Sequence, residues 1–187
     1  MHVISGILKG RRIVRPEGSR PTGGKVKEAL FNILSNRIDQ ALFLDLYAGS
    51  GGVGLEALSR GARHVVFVDS EPRTCRSLKQ ALSRFWPDGK SHAVICQSVS
   101  RFLKTHRAGP FDLVYVDPPY QSDEVEVILP LLATDDMIAM DGRVIIEHFH
   151  KKPLPDAVGC IRMARRYRYG GTMLSFYERG IDLSRDI

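Results

Sequence analysis

A run of apolar residues that ends in Asp-Pro-Pro-Tyr is the segment of this sequence whose residue types point most directly to chemistry. The run is LVYVDPPY, from Leu113 to Tyr120. Its two prolines remove two backbone donors and fix two φ angles, and the acid before them is driven toward extended geometry. The pattern predicts a stiff corner that presents the Asp117 carboxylate, backbone carbonyls and the Tyr120 ring at the end of a strand. A turn that only terminates the strand would use the same residues.

A glycine loop precedes this corner in the chain. Gly49, Gly51 and Gly54 fit the spacing G-x-G-x-x-G between a predicted strand and a predicted helix, and Asp69 ends the next strand twenty residues after Gly49. In a dinucleotide site such glycines let the backbone approach the ligand, and the acid binds a ribose diol. Taken literally, the fingerprint predicts NAD.

One carboxylate argues against a pyrophosphate in this loop. Asp45 lies four residues before the first glycine, where its charge would repel a phosphate and attract a cation. S-adenosylmethionine (SAM) carries a sulfonium, an ammonium and a ribose diol but no phosphate, so the loop suits SAM better. Asp45, Asp69 and Asp117 all end predicted parallel strands, and open α/β sheets bind ligands at that edge. A tight turn with a purely structural role remains the alternative for the glycines.

The Asp-Pro-Pro-Tyr corner suits methyl transfer to an exocyclic amine of a nucleic-acid base. Such an amine is flat and poorly nucleophilic. The Asp117 carboxylate and the Pro118 carbonyl can accept its two N–H bonds and direct its lone pair at the methyl group. Tyr120 can stack on the base, which must be flipped out to be reached. The site would then supply orientation and charge placement for a direct in-line displacement, with no metal and no covalent enzyme intermediate.

The elements that must position these residues alternate as strand and helix from residue 42 to residue 147. The strands are near-continuously apolar, which predicts an α/β, Rossmann-like parallel sheet covered on both faces. Residues 161–169 and 172–178 instead alternate around Gly170-Gly171, which predicts a closing antiparallel hairpin.

The first 41 residues are predicted to form a separate extension. Residues 3–15 indicate a β-hairpin around Lys9-Gly10, and residues 26–34 have the apolar spacing of an amphipathic helix. We therefore divide the chain into an extension at 1–41 and a main domain at 42–187.

Composition bounds the class of protein. The chain has 187 residues, of which 43% are hydrophobic, enough for one sizeable core. Its apolar runs are too short to cross a membrane, and its start is too polar for a signal peptide. The three cysteines show no metal-ligand spacing. We expect a cytoplasmic protein with reduced thiols, and a monomer because no exposed apolar stripe stands out.

Positive charge is concentrated in two segments. The net charge is +6, but residues 1–42 and 151–171 each carry +5, whereas residues 43–150 carry −3. Clustered basic charge is typical of a surface that binds a polyanion. Two merely solvated surfaces are the simpler alternative.

Together these motifs resemble the bacterial 16S ribosomal RNA guanine-N2 methyltransferase family (RsmD type). The likeness covers essentially the full length, and the Arg-Pro-Thr segment with its helix is its most family-specific part. The matching segments are Leu8–Arg11, Arg20–Thr22, Val26–Leu34, Asp45–Gly51, Gly54–Leu58, Asp117–Tyr120 and Tyr169–Thr172.

The resemblance implies a SAM-dependent enzyme that methylates the N2 amine of one guanine in 16S rRNA. It also implies a seven-stranded methyltransferase sheet, an N-terminal extension that helps hold RNA, and 16S rRNA or the small ribosomal subunit as partner. The expected cofactor-binding residues are Asp45, Ala48, Gly49, Ser50, Gly51, Asp69, Ser70, Ser98 and Val99. The expected catalytic residues are Asp117, Pro118, Pro119 and Tyr120. The expected RNA-binding residues are Lys9, Arg11, Arg12, Arg15, Arg20, Thr22, Lys25, Arg165, Arg166 and Arg168.

The sequence departs from the family pattern in two places. Relatives usually carry Asp or Asn after the third strand to contact the adenine amine, whereas this chain has Gln97-Ser98. Ser98 would have to accept that bond. Gly23-Gly24 replaces the more polar residues usual after Arg-Pro-Thr.

Three other functions fit parts of the pattern. A DNA adenine amino-methyltransferase would use the same corner, but the chain has little room for a separate DNA-recognition domain. A nicotinamide-dependent oxidoreductase would bind NAD and not SAM. An RNA-binding module without catalysis would bind RNA and transfer no methyl group.

Overall fold

One sheet organises the chain. The structure, a computed structural model, describes residues 2–13, 23–105, 109–119, 122–134 and 136–180. The helices in these residues are α1 (Gly24–Ile33), α2 (Gly52–Ser59), α3 (Pro72–Phe85), α4 (Val99–Thr105) and α5 (Glu124–Leu132). The strands are β1 (Leu42–Leu46), β2 (His64–Asp69), β3 (His92–Cys96), β4 (Phe111–Val116), β5 (Ile138–Phe149), β6 (Ala157–Val158), β7 (Ile161–Tyr169) and β8 (Thr172–Arg179). The strand order is β3-β2-β1-β4-β5-β8-β7-β6.

The sheet is parallel from β3 to β5 and antiparallel from β5 to β6. This confirms the Rossmann-like, mostly parallel sheet with an antiparallel hairpin at its end. The seven expected strands are joined by a two-residue eighth strand, β6, at the edge. The chain runs outward from β1 to β3 and then returns to place β4 on the other side of β1. That reversal opens a crevice at the carboxyl ends of β1 and β4.

Alternate residues of the central strands enter two separate cores, as the side-chain period of a strand requires. Phe43, Phe67 and Tyr115 pack with α1, α2 and α3 on one face. Leu44 and Val114 pack with α4 and α5 on the other. Burial on both faces explains why the strands read as continuous apolar runs. No helix in the described part of the chain is both long enough and apolar enough to span a membrane.

The N-terminal hairpin is reduced to a single β-bridge between His2 and Arg12. The residues between them form turns: Val3 still pairs with Gly10 and Arg11, but the backbone donors of Ile4, Ser5 and Ile7 bind α2 instead of a partner strand. Ile4 N and Ser5 N donate to the Glu56 carboxylate at 2.7 and 2.9 Å. Ile7 N donates to the Ser59 carbonyl oxygen at 2.8 Å. The expected hairpin is therefore formed only in part, and this segment packs on α2.

A buried ion pair joins this segment to both α1 and α2. Lys27 and Glu56 are 1% and 0% exposed, and the Lys27 Nζ donates to Glu56 Oε2 at 3.0 Å. Arg60 Nε donates to the other Glu56 oxygen at 2.8 Å. Burial would raise the pKa of Glu56, but the bonds from Ile4 N, Arg60 and Lys27 outweigh it and lower the pKa below its usual value. Glu56 thus acts as a charged anchor for the extension.

Candidate active site

A cavity of about 860 Å³ lies at the carboxyl edge of the parallel strands. It receives residues from the glycine loop, from the ends of β2, β4 and β5, and from the starts of α1 and β8. The lining residues are Gly23, Val26, Tyr47, Gly49, Asp69, Ser70, Glu71, Thr74, Ser98, Val99, Asp117, Pro118, Pro119, Glu124, Glu147 and Thr172. The parallel strands, the start of the antiparallel strand β8 and the extension therefore all contribute to one site.

The proline corner forms one wall of this cavity. Asp117 is half-buried, Pro118 is buried and Pro119 is exposed. Ser122 closes the corner, since its backbone N and its hydroxyl donate to the Pro119 carbonyl at 3.0 and 2.7 Å. Tyr120, the fourth expected catalytic residue, lies outside the described residues.

Asp69 lies on another wall of the cavity and connects two segments of the chain there. Its Oδ2 accepts from Gly49 N at 2.8 Å, and its Oδ1 accepts from Glu71 N at 2.8 Å. The side chain thereby joins the glycine loop to the start of α3 while lining the cavity. Each carboxylate oxygen can accept more than one hydrogen bond, so these contacts leave room for a ribose diol.

Asp45 lies beneath the glycine loop and not among the lining residues. It is 2% exposed, and its Oδ2 accepts from Gly54 N at 2.9 Å. Burial raises the pKa of Asp45 well above its usual value, and the bond from Gly54 opposes that shift only in part. In this geometry Asp45 fixes the first turn of α2.

The expected cofactor-binding residues thus fall into two groups. Gly49, Asp69, Ser70, Ser98 and Val99 line the cavity. Asp45, Ala48, Ser50 and Gly51 are not among its lining residues. Gly51 is the N-cap of α2 with φ +73°, and its N donates to the Ala48 carbonyl at 2.7 Å, which closes the loop.

Gly54→Ala is expected to destabilise the fold by about 1–3 kcal/mol, because a Cβ here overpacks the core. That atom would lie 2.2 Å from the buried Phe67 ring and 2.9 Å from Asp45 Oδ2. Gly24→Ala is the matched control, since Gly24 also lies in a helix and its Cβ would meet nothing within 4 Å. Gly24→Ala should instead stabilise by about 0.4–1 kcal/mol, because it reduces the conformational entropy of the unfolded chain. Urea denaturation measures the change in the free energy of unfolding for both variants. Effects of the same sign in the two variants would contradict this packing of Gly54.

Two tyrosine–glutamate pairs at the site were not found by the sequence patterns. The Tyr47 hydroxyl donates to Glu124, and the Tyr115 hydroxyl donates to Glu147. Burial, reinforced by the partner carboxylate, raises the pKa of Tyr47. Burial also raises the pKa of Tyr115 well above its usual value. The position of Glu147 at the end of a parallel strand was the available signal, the same one that selected Asp117.

The cavity is strongly acidic. Five lining residues carry carboxyl groups, and no lysine, arginine or histidine occurs among the lining residues that the structure describes. Such a wall favours a cationic ligand and disfavours a pyrophosphate, which argues against the NAD alternative. No group of three or more metal-ligating side chains is found within the described ranges.

The expected RNA-binding residues that the structure describes do not form one patch. Lys9, Arg11 and Arg12 are exposed, but the turn that carries Lys9 docks at Ser59, the end of α2 farther from the cavity. Lys25 is exposed at the start of α1, near the cavity. Arg15, Arg20 and Thr22 lie outside the described residues.

The three arginines of β7 point to opposite faces of the sheet. Arg165 pairs with Phe176, whose side chain belongs to the core beneath α1 to α3. Arg166 and Arg168 alternate to the other face, where Arg166 forms an ion pair with Asp156 at 2.7 Å. Of the three, Arg165 alone shares the face covered by the extension.

The fold and the site together define a Rossmann-like protein of the methyltransferase class. A solved structure, "Putative methyltransferase yhhF from Escherichia coli", matches with a TM-score of 0.86 and 30% identity over 96% of this chain and 97% of that one. The chain belongs to the family described as "Conserved hypothetical protein 95", whose model matches residues 1–178.

Curated relatives agree with the resemblance drawn from the motifs. The ribosomal RNA small subunit methyltransferase D of Haemophilus influenzae is 37% identical over 157 residues, which cover 82% of this chain and 81% of that protein. Its counterpart in Escherichia coli K12 is 30% identical over 181 residues, which cover 96% and 90%. The expected family is thereby confirmed.

Proposed function

We propose that this protein transfers a methyl group from SAM to the N2 amine of a guanine in 16S rRNA. The observation that carries the proposal is the Asp117-Pro118-Pro119 corner on the wall of an acidic cavity, whose described lining residues include no basic side chain. An amine acceptor and a cationic donor can meet there. The relatives named ribosomal RNA small subunit methyltransferase D support the substrate class.

The residues present fit SAM. Asp69 and Glu71 lie together on one wall and would accept hydrogen bonds from the ribose hydroxyls. Ser98 and Val99 follow β3 and would contact the adenine. Bound SAM would supply an electrophilic methyl group on a sulfonium, and the carboxylates of the cavity would attract that cation. Asp45 keeps the glycine loop in place through Gly54 N.

The proline corner would orient the amine. The Asp117 carboxylate and the Pro118 carbonyl would each accept one N–H of the amine, which directs its lone pair at the methyl group. Holding the amine and the methyl donor in this orientation makes the bimolecular reaction effectively unimolecular, which lowers its activation free energy. The S–CH₃ bond would break as the N–CH₃ bond forms, with S-adenosylhomocysteine as the leaving group. The cationic amine would then lose its proton to the Asp117 carboxylate or to water, so Asp117 need not act as a strong base. We expect Tyr120 to stack on the flipped-out base.

RNA affinity is expected to fall steeply with salt, because phosphate contacts release counterions. The double variant Arg11→Gln/Arg12→Gln should flatten the slope of log affinity against log salt by roughly one to two. Lys104→Gln is the matched control, because Lys104 is exposed on α4, on the opposite face of the sheet. Fluorescence anisotropy with rRNA at several salt concentrations measures the slopes. An unchanged slope in the double variant would show that Arg11 and Arg12 do not contact RNA phosphates.

The proposed reaction is tested with purified protein, labelled SAM and RNA from cells that lack this gene. Small ribosomal subunits and naked 16S rRNA are the two substrates, and the labelled nucleoside is identified after digestion. N2-methylguanosine supports the proposal and shows which substrate is preferred. Labelled N6-methyladenosine, or no transfer to either substrate, would refute it.

A further inference from the structure

Glu147 lines the cavity on the side where the amine is proposed to bind. The reaction described above gives this residue no role. Its side chain is 4% exposed, and it lines the same cavity as Asp117 and Pro118. The Tyr115 hydroxyl donates a hydrogen bond to it, and Tyr115 is 1% exposed. Burying an acid costs free energy, so its placement in the wall of a binding cavity calls for more than a packing role.

The sheet places Glu147 beside Asp117. β4 and β5 are parallel neighbours, and their last registered pair is Val116 with Ile146. Asp117 and Glu147 each follow by one residue, and neighbouring strands lie about 4.8 Å apart. Burial raises the pKa of Tyr115, and the charges of Asp117 and then Glu147 raise it further. The Tyr115 hydroxyl donates to Glu147, and the charge of Asp117 also acts on it.

We infer that Glu147 accepts the N1–H of the target base and thereby selects guanine over adenine. This inference rests on the proposed function. Guanine presents two neighbouring donors at this edge, the N2 amine and N1–H, and two adjacent carboxylates accept both. Adenine presents the lone pair of N1 beside its amine, and that lone pair would face the acceptor oxygens of Glu147. Enzymes that flip a base read it through hydrogen bonds to this edge.

Tyr115 is the positioning residue for this contact. Its hydroxyl fixes the Glu147 side chain, and its raised pKa keeps the hydroxyl a donor. Glu124 is held by Tyr47 in the same manner and lines the same cavity, but it belongs to α5 and has no register with Asp117. Glu124 therefore provides a matched comparison.

The inference is tested on 16S rRNA that carries either guanine or 2-aminopurine at the modified position, once that position is mapped. 2-Aminopurine keeps the N2 amine but has a lone pair at N1. The wild-type protein should prefer guanine by about 10- to 100-fold in kcat/KM, the value of a hydrogen bond to a charged group. Glu147→Gln should reduce that preference at least about tenfold, because an amide can turn its NH₂ toward this N1. Glu124→Gln should leave the preference unchanged, whatever it does to the rate.

A second variant guards against a folding defect in Glu147→Gln. Tyr115→Phe retains the carboxylate and removes only its orienting bond, so it should lower the guanine preference partially. Circular dichroism and SAM titration show whether each variant is folded. A preference that stays at the wild-type value in both variants overturns the inference and leaves the proposed function intact. If the wild-type protein forms no N2-methylguanosine at all, the proposed function fails and this inference fails with it.

Discussion

Asp117→Ala is expected to lower the rate of methyl transfer by at least about a hundredfold, the usual loss when a preorganised polar group at a reacting centre is removed. The carboxylate lies on the cavity wall at the end of β4, where it would hold the amine in its reactive orientation. SAM affinity should change little by comparison, because the glycine loop and Asp69 lie on the other wall. Single-turnover assays measure the rate, and calorimetry measures SAM binding.

The matched control for this substitution is Asp123→Ala. Asp123 lies in the same segment, and its side chain is 95% exposed with a weak 3.4 Å contact to Lys152. Exposed pairs of this kind contribute little to stability. Asp123→Ala should therefore retain methyl transfer. If Asp117→Ala retained it as well, the corner would not be the acceptor site for the amine.

Glu56→Ala is expected to destabilise the protein by about 3–5 kcal/mol, because it leaves the buried Lys27 ammonium without its charge partner. Lys27 is 1% exposed, and its Nζ has Glu56 and the His2 carbonyl oxygen as hydrogen-bond acceptors. The substitution also removes the acceptors of Ile4 N and Ser5 N. The extension should therefore be released together with the loss of stability. Urea denaturation and hydrogen exchange of residues 2–13 measure the two effects.

A double variant separates the lost charge pairing from lost packing. Lys27→Met/Glu56→Leu removes both charges and keeps apolar volume, and such replacements are often close to neutral. It should recover the part of the loss that comes from the unpaired Lys27 charge, whereas the part that comes from the lost acceptors of Ile4 N and Ser5 N should remain. Asp156→Asn is the surface comparison, since it breaks the exposed pair with Arg166 and should cost less than about 1 kcal/mol. Equal costs for Glu56→Ala and Asp156→Asn would contradict the anchoring role of Glu56.

Periodicity alone was enough to predict most of the sheet and its helices. Strands and helices alternate from residue 42 to residue 147 as predicted, because apolar residues on both faces of a strand and on one face of a helix leave distinct spacings. The edge rule for parallel strands also placed Asp69 and Asp117 on one cavity.

The contacts that were not predicted depend on long-range pairing. Glu56 accepts hydrogen bonds from Ile4 N and Ser5 N. Nothing in the local sequence shows these contacts, so the local pattern predicts a hairpin. The alternation of β7 shifts at a bulge between Met163 and Arg165, which a sequence pattern does not reveal. Asp45 was expected to face a ligand, yet its carboxylate accepts from Gly54 N beneath the loop. Local spacing gives the edge on which a residue lies, and tertiary packing decides where its side chain points.

The most direct test of the central claim is the nucleoside content of 16S rRNA from cells in which this gene is deleted. The strain is complemented with the wild-type gene or with Asp117→Ala, and the digested rRNA is analysed by mass spectrometry. We predict that deletion removes one N2-methylguanosine, that the wild-type gene restores it, and that Asp117→Ala does not. Unchanged N2-methylguanosine after deletion, or its full restoration by Asp117→Ala, would contradict the account.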